Sequence, residues 1–357
     1  MSVDRVFDVV IVGAGISGLA HLRCAREAGL DALALEARDG VGGLWRDLPA
    51  WQDIQIGTRD WTLGDLPMDG PTQPDVLANI VGWADRFALS DGVRLRCPVR
   101  AARHTQACWE LDTPQGTVRA RHLVASTGAH NLPEIPEVRR ESPAVREFHS
   151  SELRNATELA GRDVVVVGGG ASAFDLLDQC FEHGARRVLW VFRQPRWFVP
   201  TNKPKTLAGS VRPFAKMQVG GMTLDQQSAL IGADLAARYR KFGIQAIQPE
   251  RPFDILRDQL IPGRARMLAN FGSIEVHPGS IESIVGDEVR LSDGTAARAD
   301  VVLWGTGYRM DLSYFEDRRL AAIRDAHELA SRCACVFRSM DAPNLYFPAV
   351  GLDDGAL

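Results

Sequence analysis

Gly13-Ala14-Gly15-Ile16-Ser17-Gly18 directly follows the apolar run Phe7–Val12 and opens a helical stretch through Leu19 to Ala28. Glycines at the first, third and sixth positions of such a turn do separate work. Gly13 permits the tight turn, Gly15 lets backbone reach a pyrophosphate where Ile16 and Ser17 start the helix, and Gly18 allows close helix–strand packing. Gly29 stops the helix, and a second strand, Ala32–Leu35, ends in Glu36, eighteen residues past Gly18. Its carboxylate can accept from both hydroxyls of an adenosine ribose and would repel a 2′-phosphate. The pattern therefore reads as a β-α-β dinucleotide site that favours FAD or NAD over NADP.

The arrangement recurs. Val164–Val167 is a second apolar strand, followed by Gly168-Gly169-Gly170-Ala171-Ser172-Ala173, a helix through Phe181 and another strand, Arg187–Phe192. Ala173 takes the third glycine's place. Arg193 is aligned with Glu36, and a guanidinium there can pair with a 2′-phosphate and stack on adenine. Arg196, Lys203 and Lys205 keep the neighbourhood positive. One site thus reads as holding FAD and the other NADPH, and hydride transfer from nicotinamide to flavin is the chemistry that unites them.

These loops need two α/β domains to position them, and the chain has the length for both: 357 residues, 45% hydrophobic and 24% charged. The 33 glycines cluster where backbone must approach something closely. A net charge of −4 supplies no basic field for nucleic acid or anionic membrane. No apolar run reaches the ~18–20 residues of a bilayer span. The start, Met1–Asp8, lacks the form of a secretory signal. The six cysteines contain no C-x-x-C, which speaks against a zinc ribbon, a dithiol centre or a disulfide reductase; Cys333 and Cys335 alternate as in a strand with buried free thiols. The expected setting is a reduced cytoplasm.

Between the two loops, Gly42-Gly43-Leu44-Trp45 resembles the Gly-Gly-x-Trp of class B flavoprotein monooxygenases, the flavin-containing and Baeyer–Villiger monooxygenases. Ala125-Ser126-Thr127-Gly128 is similar to their first linker, and His149-Ser150-Ser151-Glu152-Leu153-Arg154 to their signature histidine segment. Asp300–Tyr308, with Thr306 and Gly307, resembles the second linker. Asn344-Leu345-Tyr346-Phe347 followed by Gly351 resembles the strand and turn beneath the flavin. The resemblance runs in order over residues 6–357. It departs where Pro143 and Val145 replace the Phe-x-Gly before the histidine. It departs again where Gly57-Thr58 stands in place of an Asn followed by Thr or Ser. Pro49-Ala50-Trp51-Gln52-Asp53 is similar to the Pro-Gly-x-x-x-Asp of the Baeyer–Villiger branch, with Ala50 for Gly.

The resemblance implies an FAD- and NADPH-dependent monooxygenase that forms a C4a-(hydro)peroxyflavin and oxygenates nitrogen or sulfur of a small molecule. The alternatives are Baeyer–Villiger ketone oxygenation, an NADPH oxidase or flavin reductase, and a non-catalytic flavin- or nucleotide-binding remnant. His149 is expected to organise the NADPH–FAD contact, with Asp53 and Gly57 as the other positions near the flavin. The expected partners are a small molecule and O2, with no metal, and a homodimer if the protein assembles. The expected fold is two Rossmann-like domains, FAD-binding over 1–158 and 297–357, with an NADPH-binding domain inserted at 159–296. The stretch 195–262 is expected to be a substrate-lid insertion, with helical spacing over Gln226–Tyr239 and mobile-lid composition at Gly220-Gly221-Met222. Ile274–Val302 should alternate as a hairpin turning at Ser292-Asp293-Gly294. Relatives continue past the position of Gly351 into a helix facing the flavin pyrimidine, of which Asp353–Leu357 looks like the beginning.

Overall fold

A computed structural model of the protein describes residues 5–54, 61, 63–200, 221–258, 260–334 and 337–348. It contains two compact units. The first comprises 1–48, 61–132 and 308–353, the second 49–60, 133–307 and 354–357.

In the first unit the strand Val6–Val12 lies between Ala32–Leu35 and Gly116–Ala125, parallel to both. Val10 and Ile11 are fully buried, as expected of a strand covered on both faces. The sheet continues through Val93–Arg94 on one side and Leu345–Tyr346 on the other. An antiparallel arm, Ala101–His104 with Trp109–Thr113, joins at Gly116–Ala125. The helix Ile16–Glu27 packs Leu19 and Leu22 into the core. A further helix, Gln73–Arg86, opens with a capping box between Thr72 and Asp75, which satisfies otherwise orphaned N–H groups. Its buried Asn79 accepts from Leu63 N–H and donates to the Leu66 carbonyl, so it fixes the loop ahead of the helix.

The second unit has five parallel strands in the order Ile274–Pro278, Arg187–Phe192, Asp163–Val167, Val301–Trp304, Arg146–His149. The helix Ala171–Glu182 buries Phe174, Leu176, Leu177 and Cys180 against a core shared with Val164, Val166 and Trp190. The opposite face, including Val165, Val167, Leu189 and Val191, packs with a four-stranded layer made of Arg139–Glu141, Ile281–Val285, Glu288–Leu291 and Ala296–Arg298.

Three expectations shift. The compact units exchange at 132/133 and 307/308 rather than 158/159 and 296/297, because Arg146–His149 and Val301–Trp304 pair with each other inside the second unit's sheet. The antiparallel turn at 292–295 is present, but Ile274–Pro278 and Val301–Trp304 on its flanks belong to the parallel sheet. The helix expected at Gln226–Tyr239 runs Leu224–Lys241, extended by a capping box between Thr223 and Gln226. Within the expected lid, 201–220 lies outside the described residues, with Lys203, Lys205 and Gly220, as do Cys335, Gly57, Gly351 and Asp353–Leu357. Cys333 is half-buried in a short strand. No described helix is long and apolar enough to cross a membrane.

Candidate functional site

The first loop is a backbone cradle. Gly13 has φ +100°, and a Cβ there would lie 2.5 Å from the Ser126 carbonyl oxygen. A Cβ on Gly18 would lie 2.0 Å from the Gly13 carbonyl oxygen, so the helix rests directly on the turn. Gly15 faces Gly43 across the loop: a Cβ on Gly43 would come 2.9 Å from Gly15 Cα. The helix Ile16–Glu27 has Gly15 as N-cap and no capping side chain. The N–H groups of Ile16 and Ser17 have no hydrogen-bond partner among the described residues. Such a helix start presents free donors and a positive dipole end to an anion.

These groups open onto a cleft of about 490 Å³ within the first unit. Gly13, Gly15, Ile16, Ser17, Glu36, Gly43, Leu44, Trp45, Thr127 and Gly128 all line it. Glu36 is 2% exposed, and its two oxygens accept from Ala14 N–H at 2.7 Å and Arg38 N–H at 2.9 Å. Arg38 also pairs with Asp47, so the guanidinium beside the carboxylate is already neutralised. Trp45 is held from two sides: Gln73 donates to its carbonyl, and Trp61 meets its ring edge-on at 5.2 Å. Asn131 clamps Asp311, accepting from its N–H at 2.7 Å and donating to its carbonyl at 3.1 Å. Sequence reading missed Arg38, Asn131 and the stretch Met310–Leu312 that line this cleft. They carry no local motif: Arg38 follows Glu36 by two residues, and Asn131 and Met310–Leu312 come from distant stretches of the chain.

The second loop repeats the plan with different contacts. Gly168 has φ +131°, and a Cβ there would lie 2.1 Å from the Gly305 carbonyl oxygen. The helix Ala171–Glu182 again has a glycine N-cap, Gly170, without a capping side chain, and the N–H groups of Ala171 and Ser172 are unpaired among the described residues. Strand register corrects the alignment by one residue. Val12 pairs with Leu35 and Val167 with Val191, so Phe192 occupies the position of Glu36 and Arg193 stands one further on. Phe192 is buried, whereas Arg193 is exposed and has no partner among the described residues, leaving its guanidinium available to an anion.

His149 and Asp53 both sit in the second unit, outside the first-loop cleft. His149 is fully buried, with Nε2 2.9 Å from the Gly307 carbonyl and Nδ1 2.9 Å from Ser151 Oγ. A carbonyl only accepts and the Ser151 N–H, 3.3 Å from Nδ1, only donates, so the proton resides on Nε2. Burial lowers the pKa of the ring, opposed by the Gly307 carbonyl and the Glu152 charge. A neutral, enclosed imidazole of this kind positions backbone rather than shuttling protons. Thr306, next to Gly307, donates to the Glu134 carbonyl.

Asp53 lies 3.4 Å from Arg264, whose guanidinium also pairs with Asp175 of the second-loop helix. Gln52 donates to the other Asp175 oxygen at 2.7 Å, and Trp51 donates to the Leu153 carbonyl. Arg264 is 8% exposed and Asp175 5%, a buried ion pair with its hydrogen bonds met. Neither residue carries a sequence motif.

Two sheets with parallel cores, each with a glycine loop opening onto an uncapped helix, define a fold with two dinucleotide-binding units. Residues 10–233 match the pyridine nucleotide-disulphide oxidoreductase family, and the chain belongs to it. It is 25% identical to a Baeyer-Villiger monooxygenase of Streptomyces coelicolor over 85% of this chain, and 27% identical to the indole-3-pyruvate monooxygenase YUCCA1 of Oryza sativa subsp. japonica over 90% of this chain. It spans 64% of the length of the Streptomyces protein and 80% of the rice protein. The solved structure of OTEMO in complex with FAD and NADP shares the fold, with a TM-score of 0.75 at 16% identity, covering 96% of this chain and 80% of that chain.

Proposed function

We propose that the protein is an FAD- and NADPH-dependent monooxygenase that transfers one oxygen atom of O2 to a nitrogen or sulfur of a small molecule. The contrast between the two loops carries this reading: a buried carboxylate, Glu36, beside one uncapped helix and an exposed guanidinium, Arg193, with no partner among the described residues, beside the other. The first unit would hold FAD, with its pyrophosphate at the N–H groups of Ile16 and Ser17 and its ribose at Glu36. The second would hold NADPH at Gly170–Ser172, with the 2′-phosphate on Arg193. When bound, FAD would supply the chemistry of taking hydride from NADPH and reacting with O2. The chain's own work is to seat both nucleotides and keep water from the reacting atoms. Trp45, pinned by Gln73 and Trp61, walls the cleft, and His149 holds the backbone at Gly307. The monooxygenases among its relatives support the same class.

Ketone oxygenation is a second reading, favoured by the similarity to the Baeyer-Villiger monooxygenase of Streptomyces coelicolor. One experiment separates these readings. The FAD-loaded protein is given NADPH, isotopically labelled O2 and a panel of sulfides, amines and ketones, and the products are read by mass spectrometry. Label in sulfoxides or amine oxides supports the first reading, and label in esters or lactones the second. Protein that takes up no FAD, or that converts every NADPH to peroxide with no labelled product, overturns both.

A further inference from the structure

The two loops handle the same peptide differently. In the first, the Gly13 carbonyl lies where a Cβ on the sixth loop residue would be, 2.0 Å away, and Gly18 has none. In the second the sixth residue is Ala173, and a real methyl group excludes a carbonyl at that separation. The Gly168 carbonyl must therefore point elsewhere, and it does: it accepts a hydrogen bond from Trp190 Nε1 at 2.7 Å. Trp190 is 3% exposed, wedged between Phe174, edge-on at 5.9 Å, and Phe192 at 4.6 Å, so its indole has little freedom to follow the loop. By register its counterpart in the first unit is Ala34, which has no side-chain donor. Room for the Ala173 methyl comes from Gly305, where a Cβ would lie 2.7 Å from Ala173 Cα; the corresponding linker residue in the first unit is Ser126.

We infer that Trp190 is a positioning residue for NADPH: by holding the Gly168 carbonyl it fixes the Gly168–Gly169 peptide so that the Gly169 N–H is presented to the nucleotide's pyrophosphate. In a trans peptide the N–H points opposite the carbonyl. With that carbonyl anchored on the indole, the Gly169 N–H is directed away from Trp190, and it has no hydrogen-bond partner among the described residues. A Cβ on Gly169 would make ordinary van der Waals contact with the Gln194 carbonyl oxygen at 3.6 Å and Phe192 Cβ at 3.7 Å, so a methyl fits there without displacing backbone. The inference rests on the reading of the second loop as the NADPH site.

The test is calorimetric titration of the FAD-loaded protein with NADP⁺. Trp190→Phe keeps an aromatic ring but removes the N–H donor, and should weaken binding about three- to tenfold, the effect of one hydrogen bond. Adding Ala173→Gly to Trp190→Phe frees the carbonyl to take the first-loop position, where the following N–H turns to the strand end as Ala14 does to Glu36, and should deepen the loss. Deleting a methyl from the neighbouring helix would not add to the loss of NADP⁺ affinity if the tryptophan were merely structural. Native affinity in Trp190→Phe, or a loss that the double variant does not deepen, overturns the inference. Should Trp190→Phe not fold, Gly169→Ala is titrated instead. A methyl on the carbon next to that N–H narrows the room for a phosphate and should weaken NADP⁺ binding while bound FAD and thermal stability stay native; unchanged binding there overturns the inference. Failure of the native protein to bind NADP⁺ overturns the nucleotide assignment itself.

Discussion

The first and second glycine loops share a turn, a helix and a linker, yet their close packing is achieved by an exchange of methyl groups. Gly18 and Ser126 stand in the first unit where Ala173 and Gly305 stand in the second, so the bulk absent at one contact is present at its neighbour. The two linker glycines, Gly128 and Gly307, have nearly the same backbone, with φ +81° and +84°. What differs is what the nucleotide would meet. The first loop offers a buried carboxylate already braced by two N–H donors, and the second an exposed guanidinium without a partner among the described residues. A duplicated frame thus tolerates opposite electrostatics, since the charged groups stand at the strand ends while the turn geometry is a separate steric matter.

The comparison breaks most visibly at the sixth position. Gly18→Ala would drive a methyl into the Gly13 carbonyl, and overpacking of this sort costs about 1–3 kcal/mol or more. Flavin absorbance of the purified variant should be largely lost and its melting temperature lowered. Ala173→Gly should cost no more than about 1 kcal/mol, the helix-propensity difference. Similar tolerance at both positions would deny the exchange.

Glu36→Ala removes the acceptor proposed for the ribose and leaves the Ala14 and Arg38 N–H groups unpaired, each worth about 1–3 kcal/mol. FAD affinity, measured by fluorescence titration of the apoprotein, should fall about a hundredfold with NADP⁺ affinity retained in the flavin-saturated variant. Arg193→Ala is the converse. Loss of one charge-assisted phosphate contact, about 1.5–3 kcal/mol, should raise the KM for NADPH while leaving that for NADH unchanged. Equal loss for both nucleotides would remove Arg193 from the phosphate site.

The smallest effect belongs to His149. Its folded pKa is depressed chiefly by burial, so the unfolded chain binds the proton more readily. Stability from this group is therefore complete above the ordinary histidine value of about 6.5 and declines as pH falls below it towards the folded pKa. The melting temperature should drop over that interval, and His149→Gln should flatten the slope. An unchanged slope would show that His149 does not sense pH through the fold.

Much of this was legible locally. Both loops, their strands and the lining role of Gly43, Leu44, Trp45, Thr127 and Gly128 follow from motifs whose parts lie close in the chain. The one-residue offset at Arg193 was not, since a strand's end is set by its hydrogen-bonded partner and Val167 pairs with Val191. Asp53 was singled out for a motif position, but the groups that meet it, Arg264 and through it Asp175, lie 211 and 122 residues away with no pattern to mark them.

The sequence by itself determined that two dinucleotide loops of opposite charge exist, because a glycine turn, a helix start and a strand-end charge are encoded within about thirty neighbouring residues. Only the tertiary structure decided what braces them. Trp190 reaches Gly168 because two strands align in register, and His149 reaches Gly307 across 158 residues because its strand pairs with Val301–Trp304, just ahead of Gly307. Such contacts depend on side-chain direction and on the space left by a missing methyl, which spacing along the chain does not carry.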